Sequence, residues 1–322
     1  MSETRSAEVI GLEEASLEAN EPIVLLLWHL GDVLNATALL PDLARRHGRR
    51  ITFATVTACV PLVRHHPDVA RVLVVDRRLP EEMTLAMWAE LEQLHERLFP
   101  RHETVYNLHR AVDLKRWNHH IIELWSRIVG REGSYHDLSP RFHPDPVLEP
   151  LEREWEYVVI GNGGSSYRKC WPDARWRKLV SWLKRKHPGL HRVQIGGPDD
   201  RSVDGVEHLQ GTTSIDESYW LLKRARACVT NDSFLAHLSA AAGCDTLTIF
   251  GPSAPRQFHP LGPGARVSLG GHYYRTPCSR NLCRLGIGRV PCLAFPSAMR
   301  VTAALDRMLC VAANPSWSER AA

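Results

Sequence analysis

Short uninterrupted apolar runs alternate with helical segments along most of this chain, and that alternation leaves few folds open. Ile23–Trp28 is apolar without a break, the pattern of a strand buried on both faces. His29-Leu30-Gly31 turns the chain, and Asp32 precedes a helical stretch that ends near His47 with Gly48 as its stop. Strands follow at Ile51–Val56, Val72–Val75 and Thr104–Leu108. Leu85, Trp88, Leu91, Leu94 and Leu98 predict a helix over 84–99. Ile121, Leu124, Trp125 and Ile128 predict another over 117–129, with Gly130 after it.

The pattern pauses over 131–155, where Pro140, Pro144, Pro146 and Pro150 sit among charges. It then restarts. Tyr157–Ile160 is a strand followed by the loop Gly161–Cys170. Helix 173–186 buries Trp176, Leu179, Val180 and Leu183. Strand 192–195, helix 216–226, strand 227–230, helix 233–242 and strand 246–250 follow, and a last helix runs from about Ser297 to Leu309. Repeated βα units argue for parallel sheets with helices on both faces. The expected fold class is α/β, with two Rossmann-like domains facing a cleft. A chain of 322 residues fits two domains of ordinary size. The division is an acidic tail over 1–21, a domain over 22–140, a linker over 141–155, a second domain over 156–296, and a C-terminal helix and tail over 297–322.

Composition narrows the class further. Apolar residues at 44% and charged residues at 24% are those of a globular protein, and exclude disorder, collagen, coiled coil and a membrane bundle. The first 21 residues carry six Glu and one Arg, the opposite of a secretory signal, so a cytoplasmic location is expected. A net charge of +4 does not mark a nucleic-acid binder. Arg outnumbers Lys 34 to 6, which reads first as compositional bias.

Ligands of open α/β sheets bind beyond the carboxyl ends of the strands, so the loops there hold the candidate residues. In Thr230–His237 a strand gives way to a helix. Asp232 can cap that helix, whose first-turn N–H groups and dipole favour an anion, and His237 lies one turn on. A plain cap beside a packed histidine explains the same residues. In Gly161–Cys170, glycines allow close backbone approach, Ser165 and Ser166 offer hydroxyls, and Lys169 offers a point charge. Asp32, after the first strand, is placed either as a general base or as a cap. Asp199 and Asp200 follow Gly196-Gly197-Pro198, where an acid binds ribose or simply turns the chain. Arg110, Lys115, Arg116, His119 and His120 put positive charge after a strand of the first half, on a face that meets an anionic acceptor or only water. Cys278, Cys283 and Cys292 lack paired metal-ligand spacing, and with Cys310 or His272 they read as structural thiols ahead of a metal site. Cys59, Cys170, Cys228, Cys244 and Cys310 are expected as buried thiols.

Together these segments resemble glycosyltransferase family 9, the ADP-heptose:lipopolysaccharide heptosyltransferases. The motifs LLLWHLGDVLNATALLPDLARRHG, GNGGSSYRKCWPDARWRKL, IGGPDD, TTSIDESYWLLKRARACVTNDSFLAHLSAAAG and LTIFGPSAP occur in the family's order, and CSRNLCRLGIGRVPCL is similar to its cysteine-bearing segment. The likeness runs from about residue 22 to 310. It implies a GT-B fold, with the acceptor on the first domain and the nucleotide-sugar on the second. It further implies metal-independent, inverting transfer of heptose from ADP-heptose, without a cofactor.

By position the resemblance implies Asp32 as base and Lys169 at the donor phosphates. It implies Gly164, Ser165, Ser166, Asp199, Asp232, Ser233, Phe234, Leu235 and His237 around the donor, and Trp28, His29 and Arg110 toward the acceptor. Partners are then a nucleotide-sugar and a carbohydrate or natural-product acceptor, with no nucleic acid and at most peripheral membrane contact. The chain departs from the family in carrying Trp28-His29 where relatives have a small hydroxylated pair. Phe234 stands where they have Gly, and Arg275 stands at a cysteine position. The alternatives are the same donor chemistry on a small natural product, and a non-catalytic nucleotide- or glycan-binding protein that kept the fold.

Overall fold

The computed structural model describes residues 6–18, 20–76, 85–100, 102, 104–111, 119–131, 138–149, 153–264, 266–270 and 295–311. The chain divides into two compact units, Met1–Asp145 and Pro146–Ala322. In the first unit, β1 (Glu8–Gly11), β2 (Ile23–Leu25), β3 (Ile51–Thr55), β4 (Val69–Val74) and β5 (Val105–Asn107) form a five-stranded sheet of order β1-β4-β3-β2-β5. Every pairing in it is parallel. Its helices are α1 (Leu30–Ala36), α2 (Leu40–His47), α3 (Leu85–Leu98) and α4 (Ile121–Ile128). Ile23, Leu25, Ile51, Phe53, Val72 and Leu73 are fully enclosed, as central strands covered on both faces require.

The loose acidic tail expected over 1–21 is corrected. Glu8–Gly11 adds a parallel edge strand to β4 in the register Glu8 to Arg71. Two of the acids there, Glu8 and Glu21, share one arginine of β4. Arg71 reaches Glu8 at 3.0 Å and Glu21 at 3.3 Å, and the buried Glu21 also accepts from the Thr52 hydroxyl. The helix expected after Asp32 is also corrected, because it breaks in two at a 3-10 turn over Thr37–Leu39. Pro41 has no N–H to carry the ladder across the junction. The Thr37 hydroxyl donates instead to the Leu34 carbonyl at 2.7 Å. Gly48 ends α2 at φ +62°, in the left-handed region that a side chain would strain.

The second unit has a six-stranded sheet of order β11-β10-β9-β6-β7-β8, again parallel throughout. Its strands are β6 (Tyr157–Gly161), β7 (His191–Gln194), β8 (Glu207–His208), β9 (Ala227–Asn231), β10 (Thr246–Phe250) and β11 (Arg266–Gly270). Its helices are α5 (Asp173–Lys186), α6 (Ile215–Arg224), α7 (Phe234–Ala241), α8 (Pro255–Phe258) and α9 (Ala298–Val311). Helix α5 buries Trp176, Leu179, Val180 and Leu183, the predicted face. Val301, Ala304, Leu305 and Met308 of α9 join the same core, so the last helix completes the second unit.

The irregular stretch 138–145 is docked rather than loose. Leu138 and Phe142 are buried, and the Thr37 hydroxyl accepts from the Arg141 N–H at 2.9 Å and shares its proton between the Leu34 carbonyl and that of Arg141, 3.0 Å away. Cys59, Cys228 and Cys244 are buried thiols, whereas Cys310 is exposed on α9, on the side away from the core. Lys115, Arg116, His272, Arg275, Cys278, Cys283 and Cys292 lie outside the described residues, as do the side chains of Leu85 and Trp88. Among the described residues, no helix is long and apolar enough to cross a membrane.

Candidate active site

In the first unit the apolar run beginning at Ile23 leaves the sheet early, and a side chain explains why. The Leu27 N–H donates to Nε2 of His109 at 2.9 Å, not to a neighbouring strand. His109 stands just after β5, on a turn where its own N–H donates to Asn107. An Nε2 that accepts a hydrogen bond carries no proton, so the bond requires a neutral imidazole here. The Trp28 ring meets the His29 ring edge-on at 4.7 Å and the His109 ring at 6.5 Å. The Cys59 thiol donates to the Trp28 carbonyl at 3.3 Å. Burial, with the Asp32 charge adding to it, pushes that thiol up to about 12, so it is inert as a nucleophile.

Asp32 does not cap the helix, correcting that alternative. His29 is the N-cap residue, its carbonyl accepts from the Asp32 and Val33 N–H groups, and Asp32 lies half-buried inside the first turn of α1. A carboxylate there is favoured by the helix dipole. Arg110 is exposed and bonded to neighbours on its own face, Glu96 at 3.6 Å and His95 at 3.3 Å. His119 pairs with Glu123 at 2.7 Å, and the buried His120 caps α4 through its side chain.

In the second unit three adjacent strand ends converge. Lys169 follows β6, Asp232 follows β9 and Ser253 follows β10, and these strands are neighbours in the sheet. The Lys169 ammonium lies 2.9 Å from Oδ2 of Asp232, and the Ser253 hydroxyl donates to the same oxygen. Asp232 is thus an ion-pair residue rather than the expected cap; the N-cap of α7 is Ser233, which makes no side-chain cap bond. Burial alone pushes the Asp232 carboxyl up. The Lys169 charge and the hydrogen bonds from Ser253 and Lys169 outweigh burial and hold it below the usual range. His237 is buried, with Nδ1 unpartnered among the described residues. Burial drives its imidazole down to about 4 although the Asp232 charge pulls the other way. Lys169 also lies 5.9 Å from the Phe258 ring centroid.

The loops that carry this group are tied by buried amides absent from the sequence expectations. Asn231 donates to the Gly163 carbonyl at 3.2 Å and to that of Asn162, and it accepts from the Trp171 N–H at 3.0 Å. Gln194 donates to Asn162 at 2.8 Å and accepts from the Val203 N–H at 2.9 Å. A signal was present for Asn231, a polar residue closing the apolar strand β9, where a buried amide needs partners; β7, His191-Arg192-Val193-Gln194, gave none for Gln194. Asp200 folds back on its own loop, taking the Gly197 N–H at 2.8 Å, and burial raises its carboxyl. Gly163 makes room for it, since a Cβ there would fall 2.0 Å from an Asp200 oxygen. Asp199 is exposed. Gly164 and Ser165 are exposed, while Ser166 accepts from the Arg168 N–H at 3.4 Å and shapes the turn before Lys169. Ser233 and Phe234 are half-buried at the start of α7, and Leu235 packs against Gly161.

Comparison with known proteins bears on the family and the fold. Residues 106–287, more than half of the chain, match glycosyltransferase family 9 (heptosyltransferase). Lipopolysaccharide heptosyltransferase 1 of Pseudomonas aeruginosa is 31% identical over 134 residues, which is 39% of this chain and 37% of that protein. The chain spans about a third of the length of the curated relatives it matches. Two solved structures share the fold. A glycosyl transferase family 9 protein from Veillonella parvula is 17% identical with a TM-score of 0.66, over 92% of this chain and 99% of that one. The ADP-heptose lipopolysaccharide heptosyltransferase II of E. coli is 18% identical with a TM-score of 0.63, over 90% and 99%. The fold is GT-B. The chain belongs to glycosyltransferase family 9.

Proposed function

We propose that this family 9 protein is an inverting glycosyltransferase that moves a heptose from ADP-heptose to an acceptor hydroxyl. The observation that carries the reading is the Lys169 and Asp232 pair beside the start of α7: a cation held in place where a helix presents its N–H groups. A diphosphate needs both. The E. coli protein of the same fold is named for ADP-heptose, which supports that donor.

In this mechanism the acceptor oxygen attacks the anomeric carbon from the face opposite ADP. The bond from that carbon to the phosphate oxygen breaks, and its electron pair leaves with ADP. Lys169 and the first-turn N–H groups of α7 stabilise the charge on the departing phosphate. Asp32 takes the acceptor proton as general base. No metal enters any step. Ser165, Ser166 and Phe234 line the donor, Asp199 is placed for the ribose, and Trp28, His29 and Arg110 meet the acceptor.

Calorimetric titration with ADP, with UDP as control, tests the donor half without any acceptor. Preference for ADP that is lost in Lys169→Ala supports the reading. Preference for UDP discards the heptose donor, and no binding of either moves the non-catalytic alternative forward.

The turn before Asp32 gives a second acceptor class weight beside the first. Bulky Trp28 and His29 occupy the turn before Asp32, with their rings in edge contact at 4.7 Å. That wall suits a small natural-product acceptor as well as a core sugar, and a screen of both with ADP-heptose separates them.

A further inference from the structure

The second unit carries a charge pattern that the donor site does not use. From Ala174 to Pro198 the sequence has seven Lys or Arg and no acid. On α5, Arg177, Lys178, Lys184 and Arg185 are all exposed. Arg177 and Lys184 are seven residues apart, as are Lys178 and Arg185. That is two helical turns, so the four form two rows about 10 Å long on one face, with small Ser181 between them. Helix α9 packs beside α5 and adds exposed Arg300 and Arg307. The acids of the two helices are already engaged: Asp173 holds Arg201 at 2.8 Å and Asp306 holds His187 at 3.1 Å. Among the described residues none of the six cations has an ion-pair partner, in contrast to Arg45, Arg71, Arg131 and Arg226 elsewhere.

Two ordinary explanations fall short. Cations in a last turn complement a helix dipole, which accounts for Lys184 and Arg185 but not for Arg177, Lys178, Arg300 or Arg307. Compositional bias toward Arg accounts for arginines, yet three of the six lysines of the whole chain, Lys178, Lys184 and Lys186, lie on α5.

We propose that the α5–α9 face docks on an anionic phospholipid bilayer. The face is broad, since two helices lie side by side on one sheet. Met299, 77% exposed beside Arg300, offers an apolar side chain at its edge. Half-buried Trp182 lies one turn from both Lys178 and Lys186, an amphipathic ring flanking the charges as in interfacial segments. Among the described residues of these helices Met299 is the one large hydrophobic side chain that is exposed, and they offer no exposed aromatic ring for stacking bases. Lysine and arginine near such a surface each strengthen partition roughly fivefold.

The test is co-sedimentation of the full chain with vesicles of phosphatidylglycerol and phosphatidylcholine in equal parts, against phosphatidylcholine alone. Binding to the anionic vesicles only, weakening as salt is raised, is the expected result. Lys178→Glu with Arg185→Glu lowers that partition at least about tenfold, while the melting temperature and ADP titration stay as in the wild type. Lys178→Gln with Arg185→Gln lowers it less, which separates charge from misfolding. Equal binding to both vesicle types, no binding to either, or full binding by the Glu variant overturns the proposal. Tighter binding to a single-stranded RNA oligomer than to the vesicles replaces the bilayer with a nucleic acid. The donor reading is untouched by any of these outcomes.

Discussion

The ammonium of Lys169 sits 2.9 Å from a carboxylate oxygen of Asp232, joining the loop after β6 to the end of β9. Asp232 is nearly enclosed while Lys169 keeps about a third of its side chain in solvent, so one partner anchors and the other reaches out. A lysine ammonium carries three donors, so holding Asp232 and meeting a phosphate are compatible. The pair is therefore a mount for a cation.

Lys169→Ala removes the cation and strands a buried carboxylate. ADP binding weakens at least about tenfold, because a charge-assisted contact is lost. Folding stability falls by about 3 kcal/mol, the scale for breaking a buried pair. Adding Asp232→Asn to Lys169→Ala recovers most of the stability and none of the ADP binding. Denaturant unfolding and calorimetry on the three variants check this, and recovery of both together would remove Lys169 from the ligand.

Gly163→Ala forces the Asp200 carboxylate out of the space its Cβ would take, 2.0 Å away. The displaced acid disturbs the loop that Asn162 and Gln194 hold together. The expected outcome is a several-fold loss of ADP affinity with a melting temperature lowered by a few degrees. Unchanged ADP affinity in a folded variant would detach this loop from the donor site.

Elements with a strong period were legible in the sequence. Trp176, Leu179, Val180 and Leu183 mark one side of α5, and β10 falls at 246–250 as expected. Edge strand β1 was not, because four residues starting with Glu8 carry no apolar run, and their place depends on Arg71 of another strand. At the site, Lys169 was legible as a lone cation in a Gly-rich loop, and the resemblance added its place at the donor phosphates. Asp232 was read as a cap because an acid before a helix usually is one. The residue that claims it lies 63 positions upstream, a contact made only by folding. Ser253 lies in the LTIFGPSAP motif, but an ordinary Gly-Pro-Ser turn gave no sign that its hydroxyl would meet Asp232.

Acid weakens both units through histidines held neutral. His66 in the first unit is pushed down to about 3, by burial and then by His143, Arg141 and Arg50. His237 in the second is pushed down to about 4 from an ordinary 6.5. The unfolded chain takes these protons more readily. The stability is therefore full above pH 6.5 and is lost as pH falls toward the folded values, by about 3 kcal/mol for each histidine near pH 4. His66→Asn keeps an acceptor for the Asp68 N–H that His66 takes at 3.2 Å. It should reduce the drop in melting temperature between pH 7 and 5, and an unaltered drop would place the acid sensitivity elsewhere.

His109→Phe removes the acceptor of the buried Leu27 N–H. An unmet buried donor costs about 1–3 kcal/mol, and the variant should lose that much stability. His109→Gln offers an oxygen in place of Nε2 and should retain most of it. On the proposed mechanism ADP binds the other unit, so its binding should be normal in both variants, while transfer to an acceptor falls in His109→Phe because Trp28 and the turn to Asp32 lose their support.

Asp32 carries the sharpest prediction of the mechanism. It lies half-buried in the first turn of α1, where a helix dipole favours an anionic side chain. Asp32→Asn preserves size and removes basicity. Transfer from ADP-heptose should fall by about 100-fold or more, the range for a positioned general base. ADP affinity should stay within about twofold, since no donor contact is lost. The split distinguishes a base from a structural residue: a misfolded variant loses both. If transfer persists near the wild-type rate, the proton goes elsewhere, and His29 beside Trp28 is the next group to substitute.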